Sequence, residues 1–357
     1  MGYVERMGLL FRQLFDQTSS TYTYLLADDI TREAVLIDPV FERHVRDTAL
    51  LRELGLRLLY TIDTHCHADH VTGAWLMKEA THSKVLLSGA YGAENVDVEL
   101  KHGDVVTFGA QSLEVRATPG HTDGCLSLVT PDHKMVFTGD ALLVRGAGRT
   151  DFQQGDAHKL YESIRTQLFS LPDACIVYPA HDYDGRTSST IGEERTFNPR
   201  IGGGAREEDF VGYMQNLALP HPKQLDVAVP ANLRAGKPPA ESIPPAVTWG
   251  PVVTTYAGLL EISPEWVARH RSNVHILDVR SAAEFNGELG HVEGAQLIPL
   301  EQLRDRAAEV NSEKPVVVVC QTGRRSGMAT VILGKAGLTR IANLAGGMQA
   351  WRDLGLP

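Results

Sequence analysis

Residues 64–70 constrain the fold of this chain more than any other segment, because they read THCHADH directly after an apolar, strand-like run at 58–61. Three imidazoles and a carboxylate within so few positions would lack partners in an ordinary protein core. A divalent metal ion resolves that conflict, since neutral imidazole and carboxylate are its usual protein ligands. The sequence therefore predicts a metal centre on a loop at the carboxyl end of a strand.

Three further histidine- or aspartate-bearing junctions follow strand-like runs later in the chain. They read PGHT at 119–122, TGD at 138–140 and PAHD at 179–182. A single histidine after a strand is usually a structural residue. Four such junctions within one domain instead favour side chains that converge on one site.

The chain has 357 residues, which is long for one domain and predicts two or three. Between residues 21 and 178, short apolar runs alternate with turn residues and with helical spacing at 158–164, a pattern typical of a layered α/β domain. Prolines then crowd residues 220–251, and new strand-like runs begin at 274. We predict a first domain at 1–232, a proline-rich linker at 233–257 and a smaller α/β domain at 258–357.

Composition excludes several classes of protein. With 34 basic and 44 acidic side chains, the net charge of −10 argues against a nucleic-acid partner. The sequence has no apolar run of membrane-spanning length, and its first apolar stretch, at 7–11, is too short for a signal peptide. The cysteines are far apart and form no CxxC pair, so a reducing, cytoplasmic location is expected; they are Cys66, Cys125, Cys175 and Cys320.

The HxHxDH motif followed by His, Asp and His in that order resembles the metallo-β-lactamase superfamily, over most of residues 7–200. The resemblance implies an αββα sandwich with the metal at one edge. Because that fold serves hydrolysis, redox chemistry and other reactions, it does not by itself decide the function.

Finer motifs are similar to the persulfide dioxygenase branch of that superfamily; they lie at 10–15, 21–26, 34–40, 148–153, 179–183 and 198–200. This resemblance implies one Fe(II) per chain, held by His65, His121 and Asp140. Two imidazoles and one carboxylate leave three positions open for substrate sulfur and O₂. A redox-active ion is needed because Zn²⁺ cannot activate O₂.

The remaining members of the cluster are His67, Asp69, His70 and His181. In the dioxygenase interpretation they orient the ligands or handle protons. In a dinuclear zinc thioesterase of the glyoxalase II kind they would hold a second ion. The sequence alone leaves that alternative open.

The substrate that the resemblance implies is glutathione persulfide, which would be oxidised to sulfite and glutathione. Glutathione carries two carboxylates, and guanidinium and phenol groups near the metal would recognise them. By resemblance the candidates are Arg149, Tyr183 and Arg200. Ordinary surface ion pairing is the alternative for each.

A second chemical feature is Cys320, which follows the valine run 316–319 and precedes a helix predicted from about Ser326 to Leu333. A thiol facing a helix N-terminus gains from the helix dipole and from free backbone N–H groups. Arg324 and Arg325 add positive charge, so the thiolate is favoured and becomes nucleophilic. The loop amides could also cradle a persulfide or an oxyanion such as thiosulfate.

The surroundings of Cys320 resemble a rhodanese domain from about Gly258 onward, through motifs at 277–280, 284–285, 290–295 and 345–351. Phosphatases built on this fold place an arginine six positions after the cysteine, whereas Arg325 is five after it. The shorter loop suits sulfur better than the larger phosphate. Cys320 and Arg325 are therefore the predicted catalytic residues of a sulfurtransferase, with Arg324 binding substrate.

The sequence thus predicts a bifunctional enzyme that uses glutathione, glutathione persulfide, thiosulfate, sulfite and O₂. It would oxidise the persulfide in its first domain and transfer sulfane sulfur through Cys320 in its second. A non-catalytic docking or sensing role for the second domain is the alternative there. A homo-oligomer is also compatible with the sequence.

Overall fold

The computed structural model describes residues 8–239 and 249–357. By the clustering of Cα positions, these residues form two compact units. The first comprises residues 8–44 and 54–239, and the second comprises residues 45–53 and 249–357.

Two six-stranded sheets form the first unit. The first sheet has the order β1-β2-β3-β4-β5-β6, antiparallel up to β3 and parallel from β3 onward. Its strands are β1 (Leu9–Asp16), β2 (Thr21–Asp28), β3 (Glu33–Ile37), β4 (Arg57–Ile62), β5 (Lys84–Ser88) and β6 (Val98–Leu100).

The second sheet has the order β12-β11-β10-β9-β8-β7, and only its β10–β11 pair is parallel. Its strands are β7 (Val105–Phe108), β8 (Gln111–Ala117), β9 (Leu126–Val129), β10 (Met135–Gly139), β11 (Ile176–Pro179) and β12 (Ser189–Thr190). The helices of the first unit are α2 (Ala74–Thr81), α3 (Ala157–Ser163), α4 (Ile191–Phe197), α5 (Glu207–Gln215) and α6 (Leu225–Asn232). Helix α1 (His44–Glu53) lies between β3 and β4 in the sequence, but its residues 45–53 cluster with the second unit.

Two apolar layers hold the first unit together. Between the sheets, side chains such as Leu26 and Val35 pack with Leu128 and Phe137. On the outer side of the second sheet, residues of β10 and β11 pack against α3 and α5, with Leu160 and Phe210 at the contact. This confirms the predicted αββα sandwich, and the strand-like run at 58–61 lies in β4.

The second unit contains one sheet with the order β13-β14-β18-β17-β15-β16, parallel except for the β13–β14 pair. Its strands are β13 (Val253–Thr254), β14 (Leu260–Ile262), β15 (His275–Asp278), β16 (Gln296–Leu297), β17 (Val316–Val319) and β18 (Ile341–Leu344). Its helices are α7 (Pro264–Arg269), α8 (Ala282–Phe285), α9 (Arg324–Lys335) and α10 (Gly347–Asp353). The helix predicted from about Ser326 therefore begins at Arg324.

The four valines of β17 are buried on both faces of this sheet. Val317 and Val319 pack in one apolar cluster with Trp351, while Val316 and Val318 pack in another with Leu333. A continuous apolar run is what a central parallel strand requires, because helices cover both faces of such a sheet. The predicted smaller α/β domain is confirmed as a fold.

Part of the predicted linker, at residues 240–248, lies outside the described residues. In the described part, Ala235 is buried against Ala74 and Val85, and β13 pairs with β14. The domain boundaries 1–232, 233–257 and 258–357 remain predictions. Within residues 8–239 and 249–357, no helix combines the length and apolarity that crossing a membrane requires.

Candidate active sites

Three of the predicted ligands point at one another from loops at the ends of β4, β8 and β10. The Nε2 atoms of His65 and His121 lie 3.9 Å and 3.6 Å from Oδ2 of Asp140. Their imidazole rings meet edge to face with centroids 5.0 Å apart. Two nitrogen donors and one carboxylate oxygen on one side of a small space are the donor set of a mononuclear non-haem iron site.

The other nitrogen of each ring is tied to the protein. Nδ1 of His121 donates to the Arg149 carbonyl at 2.6 Å, and Nδ1 of His65 bonds to the Thr64 hydroxyl at 3.0 Å. The Thr64 hydroxyl and amide both donate to the Asp38 carboxylate, at 2.9 Å and 2.7 Å. These bonds place the proton on Nδ1 and leave each Nε2 lone pair directed at the space between the ligands.

Electrostatics keep the two kinds of donor in the forms that a metal needs. Burial, reinforced by the neighbouring His67, holds the pKa of His65 well below its usual value, so the imidazole is neutral. Burial alone would raise the pKa of Asp140, but its charge interaction and hydrogen bond with His181 outweigh burial and hold that pKa below the usual range. The donor set therefore fits a divalent cation.

His181 occupies the space between two carboxylates. Its Nδ1 lies 2.7 Å from Oδ1 of Asp140, and its Nε2 lies 2.9 Å from Oδ2 of Asp69. Burial would lower the pKa of His181, but the two acidic partners outweigh it and raise the pKa well above the usual value. In this arrangement His181 binds one oxygen of Asp140 and leaves the other facing His65 and His121.

The remaining predicted residues lie beside this group. His67, Asp69, His70 and His181 also offer ligand atoms within 4.8 Å of one another. Nδ1 of His70 lies 3.0 Å from Asp69, and Nε2 of His67 lies 3.2 Å from Asp38. The other nitrogens, Nδ1 of His67 and Nε2 of His70, are buried without a hydrogen-bond partner among the described residues. The structure thus brings all seven predicted side chains together.

Two positions that support this centre were missed in the sequence analysis. Asp38, at the end of β3, anchors both Thr64 and His67, and β3 is the parallel neighbour of β4. Gly148 lies so close that a Cβ there would be 2.3 Å from the Asp140 carbonyl and 2.9 Å from the His121 ring. Both lie in quoted motifs, but only the packing reveals these roles.

Of the predicted substrate-binding residues, Arg149 is largely bonded within the protein. The Arg149 guanidinium binds the Asp151 carboxylate at 2.6 Å and 2.7 Å and donates to the carbonyls of Leu219 and Pro220. Most of its donors are therefore occupied within the protein. Its backbone carbonyl, rather than its side chain, contacts His121.

Tyr183 is exposed, whereas Arg200 is half-buried. The Tyr183 ring is parallel to the His181 ring at 6.3 Å, and 72% of the residue is exposed. Arg200 donates to the Ala147 carbonyl, and its guanidinium lies 5.6 Å from the centre of the Tyr213 ring. Of the three candidates, Tyr183 presents the freest polar group.

In the second unit, Cys320 lies between β17 and the first turn of α9. Its sulfur accepts hydrogen bonds from the Gly323 amide and the Ser326 hydroxyl, each at 3.2 Å. Burial would raise the pKa of Cys320, but the Ser326 hydroxyl and the amides of Ser326, Thr322 and Gly323 outweigh it and lower the pKa. The thiolate is therefore favoured, as a nucleophilic cysteine requires.

The start of α10 holds the Cys320 loop in shape. The Met348 amide, at the start of α10, donates to the Cys320 carbonyl at 2.8 Å. Gly347 has a φ of 60°, and a Cβ there would lie 2.4 Å from the same carbonyl oxygen. Only glycine combines that conformation with so close an approach.

The two loop arginines have different environments. Arg325 forms a bidentate ion pair with Glu284, at 2.8 Å and 2.5 Å, and this bond lowers the pKa of Glu284 to about 2. Arg324 is exposed, and no carboxylate in the described parts of the chain pairs with it. Glu284 and Ser326 lie in or beside the rhodanese-like motifs, but only the structure reveals their bonds to Arg325 and Cys320.

The other cysteines contrast with Cys320. Cys66, Cys125 and Cys175 are buried free thiols. Burial raises the pKa of Cys66 and Cys125 to about 12 and that of Cys175 to about 11. These thiols stay protonated near neutral pH.

Comparison with known protein families gives two matches within the chain. Residues 17–181 match the metallo-beta-lactamase superfamily, and residues 263–354 match the rhodanese-like domain. The first match spans the histidine and aspartate cluster, and the second spans Cys320.

Individual relatives are similar to the first unit. The human mitochondrial persulfide dioxygenase ETHE1 is 54% identical over 229 residues, which is 64% of this chain and 89% of that protein. The crystal structure of ETHE1 from Myxococcus xanthus is 51% identical, covers 64% of this chain and all of its own, and superposes with a TM-score of 0.62. The hydroxyacylglutathione hydrolase GloC of Haemophilus influenzae is 33% identical over 49% of this chain and 90% of its own.

Gly148→Ala should weaken metal binding by about tenfold, because the added methyl group displaces the His121 ring or the Asp140 backbone. Metal content per chain after dialysis against a chelator is the measurement. Gly212→Ala is the control, since a Cβ at that position in α5 meets nothing within 4 Å. Equal metal retention in the two variants would contradict the positioning role of Gly148.

Ser326→Ala should raise the pKa of Cys320, because it removes a hydrogen bond to the thiolate. We expect the pH dependence of Cys320 alkylation by iodoacetamide, followed by mass spectrometry, to move up by about one pH unit. Thr330→Ala is the control, since the Thr330 hydroxyl on the same helix bonds to the Gly327 carbonyl. An unshifted profile for Ser326→Ala would show that the hydroxyl does not stabilise the thiolate.

Proposed function

The chain belongs to the persulfide dioxygenase family of the metallo-β-lactamase superfamily and also carries a rhodanese-like domain, and from this premise we propose that it is a bifunctional enzyme of sulfur metabolism. The first unit would oxidise glutathione persulfide with O₂ and water to sulfite and glutathione. The second would transfer sulfane sulfur through Cys320.

The observation that carries the first activity is the convergence of His65 Nε2, His121 Nε2 and Asp140 Oδ2. We propose one Fe(II) per chain at this position. Bound there, ferrous iron would supply the redox-active centre that the reaction of a persulfide with O₂ requires. Zinc has no accessible redox chemistry and would not serve.

The surrounding residues would keep the three ligand side chains in fixed orientations throughout the reaction. The Arg149 carbonyl and the Thr64–Asp38 pair fix the two imidazole rings, and His181 fixes the carboxylate of Asp140. His181 also holds a proton between Asp140 and Asp69. These bonds exist before substrate arrives, so the site is preorganised.

Glutathione persulfide carries two carboxylates, for which Tyr183, Arg149 and Arg200 remain our proposed partners. Tyr183 offers an exposed phenol beside His181. Arg149 and Arg200 are already bonded within the protein, so they would act by sharing donors with the substrate.

For the second activity, the Cys320 thiolate would attack the outer sulfur of thiosulfate. The S–S bond of thiosulfate breaks, sulfite leaves with the bonding electron pair, and Cys320 becomes a persulfide. A glutathione thiolate then attacks the outer sulfur of that persulfide, which gives glutathione persulfide and regenerates the Cys320 thiolate. The loop amides and the Ser326 hydroxyl would favour each anionic sulfur species.

A dinuclear zinc thioesterase remains the competing candidate for the first unit. The partnerless nitrogens of His67 and His70 and the similarity to GloC favour it. Both nitrogens of His181 bond to carboxylates, so His181 would have to exchange one of these bonds for the metal in order to hold a second ion. We further propose that the protein is located in the cytoplasm.

Freshly purified protein should contain about one iron per chain and consume O₂ when given glutathione persulfide, with formation of sulfite. Asp140→Ala should lose both the iron and the O₂ uptake, because it removes the anionic ligand. Elemental analysis and an oxygen electrode provide the measurements. About two zinc ions per chain with anaerobic hydrolysis of a glutathione thioester would instead establish the thioesterase.

Cys320→Ser should abolish sulfur transfer from thiosulfate to glutathione, because a serine hydroxyl is not ionised and cannot form a persulfide. Oxygen uptake with glutathione persulfide should stay near that of the unmodified protein. Cys175→Ala, at a buried thiol remote in sequence, is the control for both assays. Loss of both activities in Cys320→Ser would contradict two independent sites.

A further inference from the structure

The Arg325 guanidinium is held by a carboxylate from a different helix. Its two terminal nitrogens bond to the two oxygens of Glu284, at 2.8 Å and 2.5 Å. This fork-to-fork geometry fixes the plane and direction of the guanidinium as well as its position. Arg325 is close enough to Cys320 for their charges to interact.

Glu284 is itself held in place at the first turn of α8. Its Oε2 accepts from the amide and the hydroxyl of Ser281, each at 3.0 Å, and its own amide bonds to the Ser281 hydroxyl at 3.2 Å. Its carbonyl accepts from the buried Arg280, which is fixed by Asp278. Arg325 is therefore paired with a carboxylate that cannot easily move away.

This pairing changes the charge that an incoming sulfur donor meets. The positive charge of Arg325 is offset by Glu284, whose carboxyl group is about one-third exposed. Arg324 is exposed and lacks an acidic partner among the described residues. A doubly charged anion that approaches Cys320 therefore meets two guanidinium groups and one carboxylate, and these three side chains carry a net charge of +1.

On the basis of the proposed sulfurtransferase function, we propose that Glu284 is a specificity-determining residue that acts through Arg325. It withholds the Arg325 guanidinium from anionic sulfur donors and so disfavours a dianion, such as thiosulfate, relative to donors of lower charge. Arg324 and the loop amides remain to contact the donor. If the Glu284 carboxylate only supported the fold, its removal would change kcat/KM by the same factor for donors of different charge.

Glu284→Gln tests this, because glutamine removes the charge and can still complete the capping box with Ser281. Since Coulomb energy scales with the charge of the ligand, we expect kcat/KM to rise about fivefold for thiosulfate and about twofold for the monoanion methanethiosulfonate, with cyanide as the common acceptor. The gain should lie mainly in KM. It should shrink in 0.5 M salt, where the Debye length is roughly 4 Å and the charges are screened. The control is Glu288→Gln, which removes an exposed carboxylate four residues further along the chain. It should leave kcat/KM unchanged for both donors.

Two further results separate this proposal from the function on which it rests. In an Arg325→Gln background, Glu284→Gln should bring a clearly smaller gain for thiosulfate, because no guanidinium is left to be released and only the charge of the carboxylate itself is removed. A fall in kcat/KM by the same factor for both donors would overturn the proposal and leave the transferase function intact. Absence of sulfur transfer from either donor in the unmodified protein would overturn the proposed function itself.

Discussion

The division of the Asp140 carboxylate between two neighbours is the interaction on which the first site depends. His181 takes one oxygen, and the other faces the Nε2 atoms of His65 and His121. A buried carboxylate would otherwise be protonated and would bind metal poorly. By carrying a proton between Asp140 and Asp69, His181 keeps the ligand ionised and fixes its direction. Loops from both sheets must meet for this to happen, so the sandwich fold is a condition of the chemistry.

In the second site, a buried thiol is kept in its thiolate form mainly by hydrogen bonds. Cys320 is as buried as Cys66 and Cys125, yet the pKa of Cys320 is lowered whereas burial raises the other two to about 12. The difference comes from N–H and O–H groups directed at one sulfur, which a loop at a helix N-terminus provides. Under the proposed function, placing two sites on one chain would also raise the effective concentration of a persulfide shared between them.

The αββα sandwich, the second α/β domain and the seven side chains that the structure brings together could all be predicted from the sequence, because apolar periodicity and short polar motifs are local signals. Sequence reasoning did not find Asp38, Gly148, Ser326 or the role of Glu284. Each of these acts on a residue that is distant in sequence or oriented by a turn. Arg149 shows the same limit, since its motif did not reveal that its carbonyl binds His121 or that its guanidinium binds Asp151.

The sequence by itself determined which side chains could take part: the HxHxDH cluster, the later His and Asp junctions, and a cysteine between a valine strand and a helix. Those identities follow from the chemistry of imidazole, carboxylate and thiol groups. Only the tertiary structure decided which nitrogen of each histidine faces the site, which oxygen of Asp140 is free and which arginine beside Cys320 is neutralised. Those properties depend on hydrogen bonds between separate elements, whose distances are set by how the sheets and helices pack.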